Sequence, residues 1–207
     1  MDIRDSYDLW ASSYDSVENP TRDLDRIATL ETLGRMRFGR ILEVGCGTGK
    51  NTRLLSTLSG QVQAIDLSLG MIAKAKEKVT AGNVLFAVAD VNRPWPRTDE
   101  SVELVSCNLI LEHIEDLRCI FREAHRCLIP GGKLFICELH PAKQYEGKRA
   151  NFLHEGTRTE IPAYVHHMSD FFSAGVEIGF SLLQMKEWWH KPDRDSPPLL
   201  LSFLFAK

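Results

Sequence analysis

The sequence has no surplus of positive charge: Lys and Arg total 25 against 28 Asp and Glu, a formal net charge of -3. A protein that grips nucleic acid by its phosphates carries the opposite balance, so no nucleic-acid partner is expected. No apolar run approaches the ~20 residues that cross a bilayer. The start, Met1-Asp2-Ile3-Arg4-Asp5-Ser6, lacks the apolar core of a signal peptide. The five cysteines, Cys46, Cys107, Cys119, Cys127 and Cys137, include no CxxC pair, and their scatter fits neither a disulfide framework nor a zinc site. Reduced thiols and a cytoplasmic location are expected. The histidines show no HxH or HxxxH spacing with neighbouring carboxylates, so metal-free chemistry is expected. Internal repeats and low-complexity tracts are absent too.

What is present is a chain of 207 residues, 43% apolar, enough for one compact domain. Arg40-Ile41-Leu42-Glu43-Val44 reads as a buried strand, broken by Gly45-Cys46-Gly47-Thr48-Gly49, and a helical pattern resumes from Lys50 to Leu58. Strands over 61–66, 84–90, 103–108 and 133–139 follow, with amphipathic helices between them. Ser68 is placed to cap one helix, and Pro130-Gly131-Gly132 closes another. Apolar strands alternating with helices predict an α/β doubly wound, Rossmann-like, mostly parallel seven-stranded sheet with helices on both faces. The end reads as a C-terminal antiparallel strand pair, Phe180 to Trp189 and Leu199 to Ala206, joined by a turn over 193–198. Within this single domain the expected layout is a cap segment (1–37), a cofactor-binding core (38–140), a substrate lid and helix (141–175) and the strand pair (176–207).

A glycine-rich turn after the first strand lets the backbone approach a ligand where a side chain would obstruct. The spacing is E-x-G-x-G-x-G. A dinucleotide fingerprint would need glycine where Lys50 stands, and a phosphate loop would need Ser or Thr where Asn51 stands. Asp66, closing the second strand, lies at the crevice where a carboxylate accepts from both hydroxyls of a ribose. Asp90, at the end of the third, is placed to accept from an adenine amine. A helix cap is the alternative for both.

Glu43-Val44-Gly45-Cys46-Gly47-Thr48-Gly49, Asp66 and Asp90 resemble the first three motifs of class I S-adenosylmethionine-dependent methyltransferases. Pro130-Gly131-Gly132-Lys133-Leu134 is similar to that family's motif before its fifth strand. Asn108-Leu109-Ile110-Leu111-Glu112-His113-Ile114 and Tyr7-Asp8-Leu9-Trp10-Ala11-Ser12-Ser13-Tyr14-Asp15 resemble its ubiquinone/menaquinone-methyltransferase-like branch. The resemblance covers residues 6 to 140 and implies S-adenosylmethionine as methyl donor, with S-adenosylhomocysteine as product. It implies that Gly45, Cys46 and Gly47 approach the cofactor by backbone and that Asp66 holds the ribose. Leu67 and Met71 would pack on the adenosine, with Asp90 and Val91 at the adenine edge. Asn108 and Leu109 would meet the methionine end, Tyr14 would cover it, and Glu43 would organise the loop through water. Carboxylates and aromatic faces suit a sulfonium cation.

Methyl transfer needs alignment, exclusion of water and, for an alcohol, phenol or acidic carbon, a general base. Strand position selects two histidines as the base, His140 after the fifth strand and His113 after the fourth. A histidine held by cap or loop hydrogen bonds is the alternative for each. Trp10, Tyr145 and His166 are candidate substrate contacts. Segments 1–20 and 144–167 (Tyr7, Trp10, Tyr14; Tyr145, His154, Tyr164, His166) are expected to close together over cofactor and acceptor. Trp188-Trp189 reads as sheet packing, with one ring facing the core, or as part of an acceptor wall. The fourth strand runs into Ser106-Cys107-Asn108-Leu109 and not an Asn-Pro-Pro-aromatic run, which favours a small-molecule acceptor. The alternatives are methylation of a protein or RNA, and a non-catalytic S-adenosylmethionine-binding subunit. The expected assembly is a monomer or homodimer.

Overall fold

In the computed structural model the near-continuous apolar runs become the inner strands of one sheet. Residues 2–16, 18–154, 156–190 and 195–207 are described, His154 by its backbone alone. The turn expected over 193–198 is therefore described only from Asp195, since 193 and 194 lie outside these residues.

The core strands are β1 (Phe38–Val44), β2 (Ser59–Asp66), β3 (Val84–Val88), β4 (Val102–Asn108) and β5 (Leu128–Leu139), all parallel. A short hairpin, β6 (Asn151–His154) with β7 (Thr157–Glu160), stands apart. β8 (Ser181–Trp188) and β9 (Leu200–Ala206) complete the sheet in the order β3-β2-β1-β4-β5-β9-β8. The last strand lies inside, antiparallel to both β5 and β8. Its position follows from its burial: Leu200, Leu201, Phe203 and Phe205 are almost wholly hidden, as a strand covered on both faces requires. The chain order reverses between β1 and β4, which opens a crevice at their C-terminal ends.

Seven helices are described: α1 (Ile3–Trp10), α2 (Pro20–Leu33), α3 (Thr52–Leu58), α4 (Leu69–Lys78), α5 (Leu117–Cys127), α6 (Pro141–Tyr145) and α7 (Met168–Ile178). Their starts obey capping chemistry. Asn19 accepts from Thr21 N and Arg22 N ahead of Pro20, and Ser68 accepts from Met71 N as its position suggested. The pleat divides the core in two. Leu42 and Val44 face α5 and α7, while Ile41, Val62 and Ala64 face α2, α3 and α4. All five cysteines are free thiols. Trp188 is buried, with its Nε1 donating to Ser202 Oγ (2.9 Å), while Trp189 is only partly covered. No helix of the described residues is long and apolar enough to cross a membrane.

Five expectations shift. Segment 1–20 is not without periodicity: α1 carries Tyr7 and Trp10 one turn apart. The 144–167 stretch is not a plain loop, because it holds the β6–β7 hairpin. β3 ends at Val88, which leaves Asp90 two residues past the strand. The boundary drawn at 175 falls inside α7, which ends only where Gly179 takes up a left-handed φ of 101°. The third helix also starts at Thr52, two residues later than its apolar pattern suggested.

Candidate functional site

Two neighbouring cavities lie at the crevice. The first, of about 130 Å3, is lined by all twelve residues expected around a cofactor: Tyr14, Glu43, Gly45, Cys46, Gly47, Asp66, Leu67, Met71, Asp90, Val91, Asn108 and Leu109. They come from the ends of β1, β2 and β4, the stretch after β3, and the N-terminal segment. Gly45 adopts φ 74° and Gly47 φ 51°. A Cβ on Gly45 would stand 2.1 Å from Ile110 Cγ2, so that glycine is required by packing; one on Gly47 would meet nothing within 4 Å, so its backbone faces open space.

Asp66 does more than wait for a ribose. Its Oδ2 accepts from Gly47 N (2.8 Å) and its Oδ1 from Ser68 N (2.9 Å), which ties the glycine turn to the second strand. Asp90 Oδ1 accepts from Asn92 N (2.9 Å), an Asx turn at the far rim. Glu43 is buried, and its Oε2 finds no hydrogen-bond partner among the described residues. Burial pushes its carboxyl up to about 8, and burial likewise raises Asp25 and Asp66. Four carboxylates, Asp25, Glu43, Asp66 and Asp90, thus line this cavity against two cations, Arg22 and Lys50. Such a set is stabilised by an incoming cation. An open glycine cradle, a buried carboxylate oxygen without a partner and this excess of acid fit a sulfonium-bearing ligand.

Asp25 has no precedent in the sequence reading. From α2 it accepts from Asn108 Nδ2 (2.6 Å) and Asn51 Nδ2 (2.6 Å), so the Asn108 side chain is turned towards α2. Leu109, next in the chain, holds φ 55°, a strained value for a branched residue. Glu138 fixes the following turn, its Oε1 accepting from Ile110 N and Leu111 N.

The second cavity, of about 480 Å3, lies under the hairpin and shares Tyr7, Tyr14, Arg22 and Leu109 with the first. Trp10 lines it, stacked on Phe152 with centroids 5.4 Å apart. The N-terminal segment and the hairpin therefore already touch. Asp8 Oδ1 accepts from Gly70 N (2.8 Å) and Asp15 Oδ1 from Thr48 Oγ1 (3.0 Å), which seats this segment on α4 and the glycine turn. The Arg22 guanidinium lies 4.1 Å from the Tyr14 ring centre and covers one face of that ring.

The histidines separate. His113 lines the first cavity, buried, with Nδ1 2.8 Å from Pro162 O and Nε2 2.8 Å from the Tyr7 hydroxyl. A carbonyl only accepts, so Nδ1 carries the proton, Nε2 is the lone-pair nitrogen, and Tyr7 donates to it. Burial holds His113 below its usual range and pushes the Tyr7 hydroxyl well above its own, so the neutral pair is the resting state. Glu112 Oε1 lies 3.9 Å from Nε2, and burial pushes Glu112 up to about 7.

His140 is not brought to either cavity. It caps α6, accepting from Ala142 N at Nδ1 (3.1 Å), and its Nε2 donates to Glu187 Oε1 (3.1 Å), so both ring nitrogens are engaged. His166 is buried elsewhere, bonded through Nε2 to Ile114 O (2.7 Å). Tyr145 is 59% exposed, its hydroxyl on His167 Nδ1 (2.7 Å). Neither tryptophan of the 188–189 pair lines either of these two cavities. The sequence places Tyr7 in the family-like N-terminal segment and the lid but gives it no part at the histidine. Its spacing from Trp10 and Tyr14, three and then four residues, is the helical signal that places these rings together. No group of three or more His, Cys, Asp or Glu side chains among the described residues is arranged to hold a metal ion.

A family profile described as a methyltransferase domain matches residues 42–136. The malonyl-[acyl-carrier protein] O-methyltransferase of Bacillus anthracis is 30% identical over 193 residues, covering 85% of this chain and 71% of that protein. The ubiquinone biosynthesis O-methyltransferase of Xanthomonas oryzae pv. oryzae is 36% identical over 125 residues, covering 59% of this chain and 50% of that one. The chain thus spans from half to under three quarters of these two curated relatives. Among solved structures, the DhpI complex with S-adenosylhomocysteine superposes with a TM-score of 0.74 at 25% identity, covering 96% of this chain and 92% of the other.

Proposed function

The chain belongs to the S-adenosylmethionine-dependent methyltransferases, and from that premise we propose that it methylates an oxygen of a small-molecule acceptor held in the second cavity, without a metal. The observation that carries the reading is the pair of cavities divided by Tyr7, Tyr14 and Leu109, with a neutral, hydrogen-bonded histidine behind the dividing wall. The acidic cavity is the proposed seat of the cofactor, with Asp66, Glu43 and the Gly45–Gly47 backbone in the roles the family resemblance implies. Both curated relatives are named O-methyltransferases, which favours oxygen as the nucleophile.

When bound, S-adenosylmethionine supplies an electrophilic methyl on a positively charged sulfur that leaves as a neutral thioether. The protein's own part is positioning and proton management. An acceptor hydroxyl beside Tyr7 gives its proton to the Tyr7 oxygen as the Tyr7 proton passes to His113 Nε2. Tyr7 ends neutral, and the positive charge rests on an imidazolium next to Glu112. Pro162 O keeps Nδ1 protonated throughout, so the tautomer is fixed. Trp10 and Phe152 close the cavity from outside and keep water from the cation. His113 is thus the proposed base, and His140 is a structural cap.

The test is incubation with isotopically labelled S-adenosylmethionine and a small-metabolite library, read by mass spectrometry. Label on an oxygen of one compound, lost in His113→Asn and Tyr7→Phe, supports the reading. Label found only on protein or RNA, or undiminished transfer in both variants, sinks it.

A further inference from the structure

The second cavity differs from the first in the sign of its lining. Lys148, Arg149 and Arg22 border it, and Glu112 is its one carboxylate among the described residues. We propose that this cavity recognises an acceptor carrying an anionic head, a carboxylate or a phosphate monoester, with Lys148 and Arg149 as the residues that bind it. The proposal rests on the methyltransferase reading above and names the acceptor class for the same site.

Three features of the lining carry it. The exposed Lys148 side chain makes no hydrogen bond or ion pair among the described residues, its backbone N–H alone donating to Lys143 O (2.9 Å), although Glu146 stands two positions away. Glu146 is instead engaged by Lys143, at 2.9 Å. A lysine at a cavity wall whose neighbouring carboxylate acts on it only through space, being paired with another lysine, is a ready point charge for an oxyanion. Arg149 is held in place by Nη1 donating to Ala163 O (2.9 Å), which leaves the rest of its fork of five donors for a ligand. Glu112 is 8% exposed, with Oε2 lacking a partner among the described residues. Because burial favours its protonated form, it opposes an anion less than an ordinary glutamate would and can donate to it. The remaining wall is aromatic and aliphatic (Trp10, Phe152, Leu139), which suits an organic skeleton behind the charged head.

The experiment uses the full-length protein saturated with S-adenosylhomocysteine, titrated by calorimetry with phenyl phosphate, benzoate and neutral benzyl alcohol. At least one anion is expected to bind one-to-one in the millimolar range or tighter, with benzyl alcohol at least about tenfold weaker. Binding of phenyl phosphate alone assigns a phosphate-type head, and of benzoate alone a carboxylate; either supports the proposal. Lys148→Gln should weaken the anion by about tenfold, and Lys148→Arg should restore it. S-adenosylhomocysteine affinity should stay within about twofold in both, since Lys148 does not line the first cavity. Equal binding of benzyl alcohol, absence of binding by either anion, or unchanged anion affinity in Lys148→Gln overturns the proposal. Arg149→Gln is a supporting variant only, because Arg149 also anchors Ala163. Failure of S-adenosylhomocysteine to bind the wild-type protein removes the reading beneath the proposal, a result distinct from loss of the anion alone.

Discussion

The cavity at the strand ends and the cavity under the hairpin share a wall, yet they are built from different parts of the chain. The first is made by strand termini of a close-packed sheet, with backbone at Gly45 and Gly47 and carboxylates on adjacent strands. The second is made by α1, the start of α2, residues 148–153 and the turn after β4. One is acidic and set by the core, the other basic and set by segments laid over it. The contrast matches what each side must hold in the proposed reaction: a cation on one side, and an acceptor that differs between relatives on the other. It also separates what mutation should do to each side.

The largest expected effect falls on the dividing wall. His113→Asn should lower turnover by about 100-fold or more, the scale of a lost general base, with cofactor affinity retained. Single-turnover kinetics together with calorimetry check this, and an equal loss of cofactor binding would show that His113 merely supports the first cavity. Next, Asp66→Ala removes the acceptor of Gly47 N and Ser68 N as well as the proposed ribose contact. Charge-assisted bonds contribute about 1.5 to 3 kcal/mol each, so cofactor affinity should fall by about 100-fold while anion binding in the second cavity persists. Loss of both would erase the distinction between the cavities.

A smaller effect is expected from pH. The Glu43 carboxyl lies at about 8 in the folded protein, against a usual value near 4.5. Its contribution to stability is therefore fully present below ~4.5 and is lost as pH rises towards ~8. A cation entering beside Glu43 favours the carboxylate, so S-adenosylmethionine binding should release a proton and strengthen from about pH 6 to 8. The less positive S-adenosylhomocysteine should show a weaker trend. Glu43→Gln should flatten both the stability slope and the difference between ligands, and unchanged slopes in that variant would move the acidity elsewhere. Smaller again, S-adenosylhomocysteine should slow amide exchange in α1 and in residues 144–167 as well as at the glycine turn. Protection confined to Gly45–Gly49, Asp66 and Asp90 would leave the outer segments as static cover. EDTA is expected to leave turnover unchanged; loss with rescue by a divalent ion would overturn the metal-free mechanism.

The same division governs what the chain disclosed before folding. The sheet was legible because each core strand is a continuous apolar run and each helix a spaced apolar face, both local patterns. So was the first cavity, since Gly45, Gly47 and Asp66 sit at strand ends, with Asp90 two residues past another, that any parallel sheet brings together at its crevice. Asp25 and Arg22 were not, because on α2 they read as ordinary polar positions. Only the packing of that helix against β5 and β9 carries Asp25 to Asn108 and Asn51.

His113 and His140 show the limit most clearly. His113 follows β4 by a few residues and His140 follows β5 directly, and the sequence offered both as candidate bases. The folded structure separates them by contacts 106 and 47 residues away in sequence: Tyr7 meets His113 at the wall of the first cavity, and Glu187 meets His140 away from both cavities. The sequence by itself determined the sheet, the glycine turn and the acidic strand ends, because periodicity and backbone freedom are properties of neighbouring residues. Which imidazole lines a cavity with the Tyr7 hydroxyl on its Nε2, and which cations gather around the second cavity, depended on segments far apart in the chain that only the folded structure brings together.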